Sequence, residues 1–321
     1  MAIDAKKVIK NAWRITKDPE LSCLRIRVPG GHLPVKYLSL IQEIADRYGN
    51  GTVHITTRQG FEIPGIPFKY MDEVNAMIEP ILEGLEISKG VKIDDSTKGY
   101  PAAGTRNVCA CIGERVCPKA AFDTTALAWE VERTIYPNDY HVKIAITGCP
   151  NDCVKAHTQD IGIIGQIEPV YEAAKCVGCR LCVKKCPAGA LTWTGKEIVR
   201  DADRCIGCGD CADSCPKSAL SRGEQYFRVV IMGRTGKKNP RMARTFLQWV
   251  DRDTVLKLCR NLYSFIDKYI NKSLPKEHVG YIFDRTGLHT FKEEVLKGVT
   301  LSPKAKVVQH IEFGGYTYKQ G

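Results

Sequence analysis

Residues 141–153 read HVKIAITGCPNDC, an alternating run that predicts a β-strand and leads directly into two cysteines with C-x₃-C spacing. Strand alternation would place His141 and Lys143 on one face and Val142 and Ile144 on the other. Zinc knuckles and redox dithiols favour C-x₂-C, so this spacing points to neither. The end of the strand therefore presents a cysteine pair whose ligand must be inferred from the rest of the chain.

The composition is ordinary for a globular protein. The chain has 321 residues, of which 44% are hydrophobic and 26% are charged. This length allows one large domain or two to three smaller ones. There is no run of about 18 apolar residues, so we expect no membrane span. Residues 1–20 are charged and lack the apolar core of a secretory signal, which predicts a cytoplasmic protein.

Cysteine is unusually frequent, with 15 residues in the chain. Because cytosolic thiols stay reduced, metal binding explains this number better than disulfides do. Twelve cysteines fall into three groups of four between Cys111 and Cys215. The other three, Cys23, Cys109 and Cys259, are scattered, and we predict that they are structural.

Two of the groups are copies of one pattern. CVGCRLCVKKCP at 176–187 and CIGCGDCADSCP at 205–216 both follow C-x₂-C-x₂-C-x₃-C-P. This is the bacterial ferredoxin run, in which the fourth cysteine ligates the other cluster. A zinc site is the alternative, but it would show paired CxxC units without the fourth Cys-Pro. The predicted ligand sets are Cys176, Cys179, Cys182 and Cys215 for one 4Fe–4S cluster, and Cys205, Cys208, Cys211 and Cys186 for the other.

The third group is spaced more loosely. It consists of C-x₅-C, a gap of 31 residues and the C-x₃-C pair. Four thiolates from two distant segments suit a third cubane cluster, and a zinc site or unrelated cysteines are the alternatives. Cys109 is an alternative ligand to Cys111, although the x₅ spacing favours Cys111. The set is Cys111, Cys117, Cys149 and Cys153.

The remaining sequence alternates between strand and helix signals, which predicts an α+β fold rich in α/β units. Residues 22–63 read as a β-α-β unit whose helix opens at Pro34 and stops at a glycine-rich GNG. We expect the tail, 243–310, to be helix-rich. The other predicted elements are two short strands within 52–67, helices over 69–84 and 119–136, and strands over 140–147 and 226–232.

Several segments together resemble the sirohaem-dependent sulfite and nitrite reductases. The C-x₅-C and C-x₃-C pairs match the cysteine signature of that family, as do ITTRQGFEI (55–63), TRNVCACIG (105–113) and HVKIAITGCP (141–150). Over nearly the whole chain, the order of segments resembles the family of C subunits of anaerobic sulfite reductases. The resemblance implies a sirohaem reductase core with a ferredoxin-like N-terminal half and an inserted ferredoxin module with two 4Fe–4S clusters. The corresponding ranges are 1–100 for the ferredoxin-like half, 101–168 with 223–321 for the sirohaem and 4Fe–4S domain, and 169–222 for the inserted module.

The resemblance also implies a coupled cofactor. In this family the last cysteine of the signature is shared, so Cys153 would ligate both a cluster and the sirohaem iron. Arg58, Arg106 and Lys143 would face the substrate, and His141 stands where the dissimilatory enzymes have a lysine. A structural role for His141 is equally open. Residues expected to contact sirohaem are Thr56 and the basic loop residues Arg234, Lys237, Lys238 and Arg241.

The implied activity is the six-electron reduction of sulfite to hydrogen sulfide, with electrons arriving through ferredoxin-type clusters. Nitrite reduction on the same cofactor and a non-catalytic electron-relay role are the alternatives. The chain contains no G-x-G-x-x-G fingerprint. NADH and flavin chemistry would therefore lie in partners, which the resemblance gives as an iron–sulfur protein, the A subunit, together with a flavin- and NADH-binding protein, the B subunit.

The net charge of +11 would ordinarily indicate nucleic acid as a partner. Sirohaem carries carboxylates, and thiolate-ligated clusters are anionic, so bound cofactors would offset the excess of basic residues. We therefore expect no nucleic-acid partner.

Overall fold

The computed structural model describes residues 13–93, 106–138, 140–274 and 277–314. These ranges form two main β-sheets with helices packed on them, together with a two-stranded sheet in the cysteine-rich segment. The mixed α/β architecture agrees with the predicted fold class. No helix in the described part of the chain is long and apolar enough to cross a membrane.

The first sheet is antiparallel and carries two helices. Its core contains Leu24, Ile26 and Ile63 from the strands, together with Ile44 and Ile78 from the helices. The stretch SCLRIRVPGG (22–31) alternates like a strand along its length, but the strand ends at Ile26 and Pro29 opens a short 3₁₀ turn. The strand order is β1 (Trp13–Ile15), β2 (Leu21–Ile26), β4 (Phe61–Pro67) and β3 (His54–Ile55), with helices α1 (Leu38–Arg47) and α2 (Met71–Leu85).

The second sheet is mixed. Strand β5 pairs parallel with β6 and β6 parallel with β7, while the other pairings are antiparallel. Helix α3 (Thr124–Ile135) starts later than predicted, because the Asp123 side chain accepts hydrogen bonds from the backbone N–H groups of Thr125 and Ala126. The strand order is β12 (Lys306–Val307), β11 (Arg244–Val250), β10 (Leu220–Ile231), β7 (Ile161–Tyr171), β6 (Ile144–Thr147) and β5 (Cys109–Ala110).

The alternation in the opening stretch holds in the structure. Val142, Ile144 and Ile146 lie in the main hydrophobic core, whereas Ala145 packs in a separate cluster. Strand β6 begins only at Ile144, and the backbone N–H of Val142 donates to the Tyr140 carbonyl at 3.0 Å in a tight turn before it. The alternation thus separates a core-facing set from a set that faces the other side.

The predicted helix-rich tail, 243–310, also contains a strand that was not predicted. It contains the helices α6 (Arg252–Tyr269) and α7 (Val279–Val295), as expected, but it begins with strand β11. Phe246, Leu247 and Val250 are all buried. A strand buried on both faces has no alternation of polar and apolar residues, so it lacks the usual strand signal.

The cysteine-rich segment leaves the second sheet between two of its strands. Residues Ile161–Tyr171 of β7 pair antiparallel with Leu220–Ile231 of β10, and the repeated runs lie between them. The predicted domain boundary at 168/169 falls near the end of β7, and the one at 222/223 falls near the start of β10. The division into domains stays a prediction. The elements between the strands are α4 (Leu181–Lys185), β8 (Leu191–Trp193), β9 (Ile198–Arg200) and α5 (Asp210–Asp213).

Candidate functional site

A cavity of about 640 Å³ lies where loops of the two main sheets meet. Its walls come from β2, the β3–β4 turn, the segments before β5 and β6, the residues after Cys153, and the basic loop between β10 and β11. A volume of this size is in the range of small-molecule and cofactor sites. Six of the residues singled out from sequence line it together: Thr56, Arg58, Arg106, His141, Lys143 and Lys237.

Arg58 is held on a tight turn. The Thr56 hydroxyl accepts hydrogen bonds from the backbone N–H groups of Arg58 and Gly60, at 3.3 and 3.0 Å. Gln59, with φ of 61°, exchanges two hydrogen bonds with the backbone of Ala110 and so ties the turn to the second sheet. Thr56 therefore shapes the turn, and its predicted contact with a cofactor stays a prediction.

Arg106 and His141 are paired within the cavity. Arg106 Nη2 lies 2.9 Å from His141 Nδ1. Because a guanidinium only donates, Nδ1 must accept in this pair, which makes His141 neutral with its proton on Nε2. Burial first, and then the charges of Arg25 and Arg58, lower the pKa of Arg106 to about 10.

Lys143 is anchored at both ends. Its backbone N–H donates to Asp160 Oδ2 at 2.8 Å, and its Nζ donates to the Thr235 carbonyl at 2.7 Å. Burial first, and then the charge of Arg58, lower the pKa of Lys143. A lysine with a lowered pKa gives up its proton more readily near neutral pH.

Positive charge dominates this cavity. Among the described residues that line it, Glu62 is the one carboxylate, and it already bonds Arg14 at 2.8 Å and Arg25 at 2.7 Å. Burial lowers the pKa of Arg58 as well, and the charge of Arg25 contributes in the same direction. Desolvated cations that repel one another are costly unless an anion lies among them. The cavity is therefore suited to an anionic ligand.

The loosely spaced cysteines come together beside this cavity. Burial raises the pKa of Cys149, and the neighbouring thiols of Cys117, Cys153 and Cys111 raise it further. The backbone N–H of Gly148 donates to Cys111 Sγ at 3.2 Å. Cys153 is exposed, and the two residues that follow it line the cavity. The structure thus brings the four cysteines of two distant segments near one another, and their role as cluster ligands stays a prediction.

The eight cysteines of the repeated runs line two further small cavities. Each cavity takes three cysteines from one run and the fourth from the other run, as the ferredoxin pattern predicts. In the described residues, no group of three or more His, Cys, Asp or Glu side chains has the arrangement needed to hold a single metal ion. The sets are Cys176, Cys179, Cys182 and Cys215 in one cavity, and Cys186, Cys205, Cys208 and Cys211 in the other.

The basic loop is only partly directed at the cavity. Lys237 lines it, but Arg234 and Arg241 each pair with Asp284, and Arg234 does so at 2.8 Å. Lys238 is not among the described lining residues. The proposed binding of tetrapyrrole carboxylates therefore has structural support at Lys237, while for the other three residues it stays a prediction.

Several cavity residues were missed from sequence, among them Arg14, Arg25 and His278. Arg14 and Arg25 lie on adjacent strands and share Glu62, and the alternation of β2 could have indicated that Arg25 points away from the core. His278 lines the cavity from the N-cap of α7, far along the chain, and no local pattern marks it.

Comparisons with known proteins agree on one family. A model described as the nitrite and sulphite reductase 4Fe-4S domain matches residues 102–301, and one described as the nitrite/sulfite reductase ferredoxin-like half domain matches residues 14–81. The C subunit of the anaerobic sulfite reductase of Salmonella typhimurium is 42% identical over 319 residues, covering 97% of this chain and 95% of that protein. The coenzyme F420-dependent sulfite reductase of Methanocaldococcus jannaschii is 34% identical over 276 residues, covering 85% of this chain and 42% of that protein.

The fold also matches solved structures. Dissimilatory sulfite reductase I superposes with a TM-score of 0.66 at 17% identity, over 94% of this chain and 74% of that chain. The NirA protein of Mycobacterium tuberculosis superposes with a TM-score of 0.53 at 17% identity, over 87% of this chain and 40% of that chain. These matches confirm the mixed α/β reductase fold predicted from the sequence, while the inserted ferredoxin module stays a prediction.

Proposed function

The chain belongs to the nitrite and sulphite reductase family, and from this premise we propose that it catalyses the sirohaem-dependent six-electron reduction of sulfite to hydrogen sulfide. The observation that carries the proposal is the cavity of about 640 Å³, which is lined by more cations than carboxylates and bordered by the segment after Cys153. Such a site fits both a tetrapyrrole with carboxylates and a small oxyanion.

The residues present fit the implied cofactors. Cys111, Cys117, Cys149 and Cys153 would supply four thiols for a cluster, and we assign Cys153 as the ligand of sirohaem iron as well. Lys237 offers a cation for a tetrapyrrole carboxylate. When bound, sirohaem supplies the iron at which sulfite is reduced, and the 4Fe–4S clusters supply the electrons.

The chain's own cations bind the substrate and hold protons. Arg58, Arg106 and Lys143 come from three different segments and face one cavity, where each can donate hydrogen bonds to sulfite oxygens. Donors fixed in this way stabilise the charge that develops as each oxygen leaves as water. Arginine stays charged and is a poor acid, so Lys143, with its lowered pKa, is the proton donor among the three.

We assign the repeated cysteine runs to electron delivery to this site. Lys119, two residues after Cys117, donates to Asp210 at 2.7 Å and to Asp213 at 2.9 Å. Asp213 also receives Arg222 at 3.0 Å. These contacts bring the run at 205–216 against the segment that carries Cys117. They support a ferredoxin module at 169–222 that delivers electrons to the catalytic site.

Partner proteins follow from the same proposal. The relative in Salmonella typhimurium is named as the C subunit of its enzyme, which makes further subunits plausible. We assign NADH and flavin chemistry to two such partners, an iron–sulfur protein (the A subunit) and a flavin- and NADH-binding protein (the B subunit). This chain alone should therefore require an artificial or ferredoxin donor.

Anaerobic purification from a host that makes sirohaem tests the function. Visible absorption detects the tetrapyrrole, and reduced methyl viologen then drives reduction of sulfite or nitrite by the same preparation. We expect sirohaem absorption and a higher kcat/KM for sulfite than for nitrite. Preference for nitrite would make the chain a nitrite reductase, and iron–sulfur absorption without a tetrapyrrole would leave an electron-relay protein.

A further inference from the structure

A buried carboxylate lies directly behind the anion-binding cavity. Asp160 is 0% exposed, and its Oδ2 accepts the backbone N–H of Lys143 at 2.8 Å. Its other oxygen, Oδ1, has no hydrogen-bond partner among the described residues. A buried carboxylate oxygen without a donor is costly when ionised, and the cost disappears if that oxygen takes a proton.

His278 provides an acceptor for such a proton. Its Nδ1 lies 3.4 Å from Asp160 Oδ1, and the ring, which is 3% exposed, lines the cavity. The backbone N–H of Gly280 lies 3.5 Å from the same nitrogen, a long contact that leaves the Nδ1 lone pair available to a carboxyl O–H. With Nδ1 as the acceptor the ring proton is on Nε2, which has no hydrogen-bond partner among the described residues. Burial first, and then the charge of Lys237, lower the pKa of His278 to about 3, which keeps the ring neutral.

We propose that binding of sulfite in the cavity draws a proton onto Asp160, where the carboxyl then donates from Oδ1 to Nδ1 of His278. This inference rests on the proposed function, because it requires sulfite as the cavity's anion. It makes Asp160 a positioning residue, which holds a proton next to the anchor of Lys143 without touching substrate.

The driving force is the field of the cavity's cations. Burial raises the pKa of Asp160 to about 7, against the opposing charges of Lys143, Arg58 and Lys237. Sulfite bound to these cations offsets their positive field at Asp160, so the carboxylate loses stabilisation and its pKa rises. Asp160, whose pKa is near neutral pH, thus takes a proton from solvent as the anion binds. Other ionisable groups facing the pair are His141, Arg234, Arg241 and Tyr263.

Calorimetry measures the proton directly. Sulfite is titrated into oxidised, sirohaem-loaded protein without reductant at pH 7.5, in buffers of low and high ionisation enthalpy, and the slope of heat against buffer enthalpy gives the protons taken up. With Asp160 at a pKa of about 7 and a rise of about two units on binding, wild type should take up about 0.7 proton more than Asp160→Asn. Protonation of sulfite itself cancels in this difference.

Two further variants test whether the proton uptake depends on Asp160 and His278 or would follow the loss of any carboxylate. Glu168→Gln removes a carboxylate that pairs with Arg200 and Lys304 and does not line the cavity, so its proton uptake should equal that of wild type. His278→Leu removes the acceptor and should reduce the uptake even if Asp160→Asn proves poorly folded, with sirohaem absorption reporting on folding in each case.

The outcomes are distinguishable. Sulfite binding with equal proton uptake in wild type, Asp160→Asn and His278→Leu would overturn this inference and leave the proposed function standing. Absence of sulfite binding by sirohaem-loaded wild type would overturn the proposed function itself.

Discussion

Replacing Arg106 with methionine should lower kcat for sulfite by about 10²- to 10³-fold. The guanidinium is one of three cationic donors facing the cavity, and removal of one preorganised donor to a developing oxyanion costs about 2.7–4 kcal/mol in the transition state. Methionine keeps much of the side-chain length, so the packing of the cavity wall changes little.

The same substitution should also shift the pH dependence of kcat for sulfite to higher pH. The charge of Arg106 is one of the causes that lower the pKa of Lys143. Without that charge the pKa of Lys143 rises, so the alkaline limb of kcat, where the lysine loses its proton, should shift to higher pH.

Sulfide production with reduced methyl viologen, measured from about pH 6 to about pH 9, checks both effects, and visible absorption verifies that sirohaem is retained. Arg14→Met is the matched control, because Arg14 lines the same cavity but is 55% exposed and already paired with Glu62. Its loss should cost much less. A drop of less than about tenfold for Arg106→Met with full sirohaem content would refute the assigned role.

Three other substitutions test separate parts of the structure. Lys119→Ala should change the free energy of unfolding by less than about 1 kcal/mol, since its ion pairs are exposed, yet slow turnover with a protein electron donor; unchanged turnover would remove the proposed link between module and site. Leu258→Ala, at 0% exposure, should destabilise the main core by about 2–5 kcal/mol in urea unfolding, and a loss below about 1 kcal/mol would contradict its packing. Asp160 has a raised pKa in the folded state, so its ionisation opposes folding as pH rises from about 4 to about 7. Cofactor-free Asp160→Asn should therefore gain stability relative to wild type over that range, by about 4 kcal/mol at most, and a difference that is constant with pH would contradict the raised pKa.

Local sequence patterns predicted the strand that carries His141 and Lys143 and the grouping of the repeated cysteines. The alternation at 141–147 correctly separated the core residues from the cavity-facing His141 and Lys143. The two ferredoxin runs predicted the crossed sets of cysteines that line each small cavity. In both cases the signal is a local spacing, a strand alternation or a repeated cysteine pattern, which a sequence displays directly.

The rest depends on contacts between distant segments. Asp284 holds Arg234 and Arg241 from 50 and 43 positions away, and nothing near the basic loop signals that pairing. Asp160 and His278 lie close together in the structure although they are far apart in the sequence. Strand β11 was missed because both of its faces are buried, which removes the alternation that marks a half-exposed strand.

The visible spectra of Cys153→Ser and Cys186→Ser, both purified anaerobically with sirohaem available, test whether Cys153 joins the two cofactors. We expect Cys153→Ser to lose the thiolate-ligated sirohaem spectrum, and Cys186→Ser to retain it and lose only iron–sulfur content. Unchanged sirohaem absorption and sulfite reduction in Cys153→Ser would contradict the claim that this cysteine joins the cluster to the tetrapyrrole.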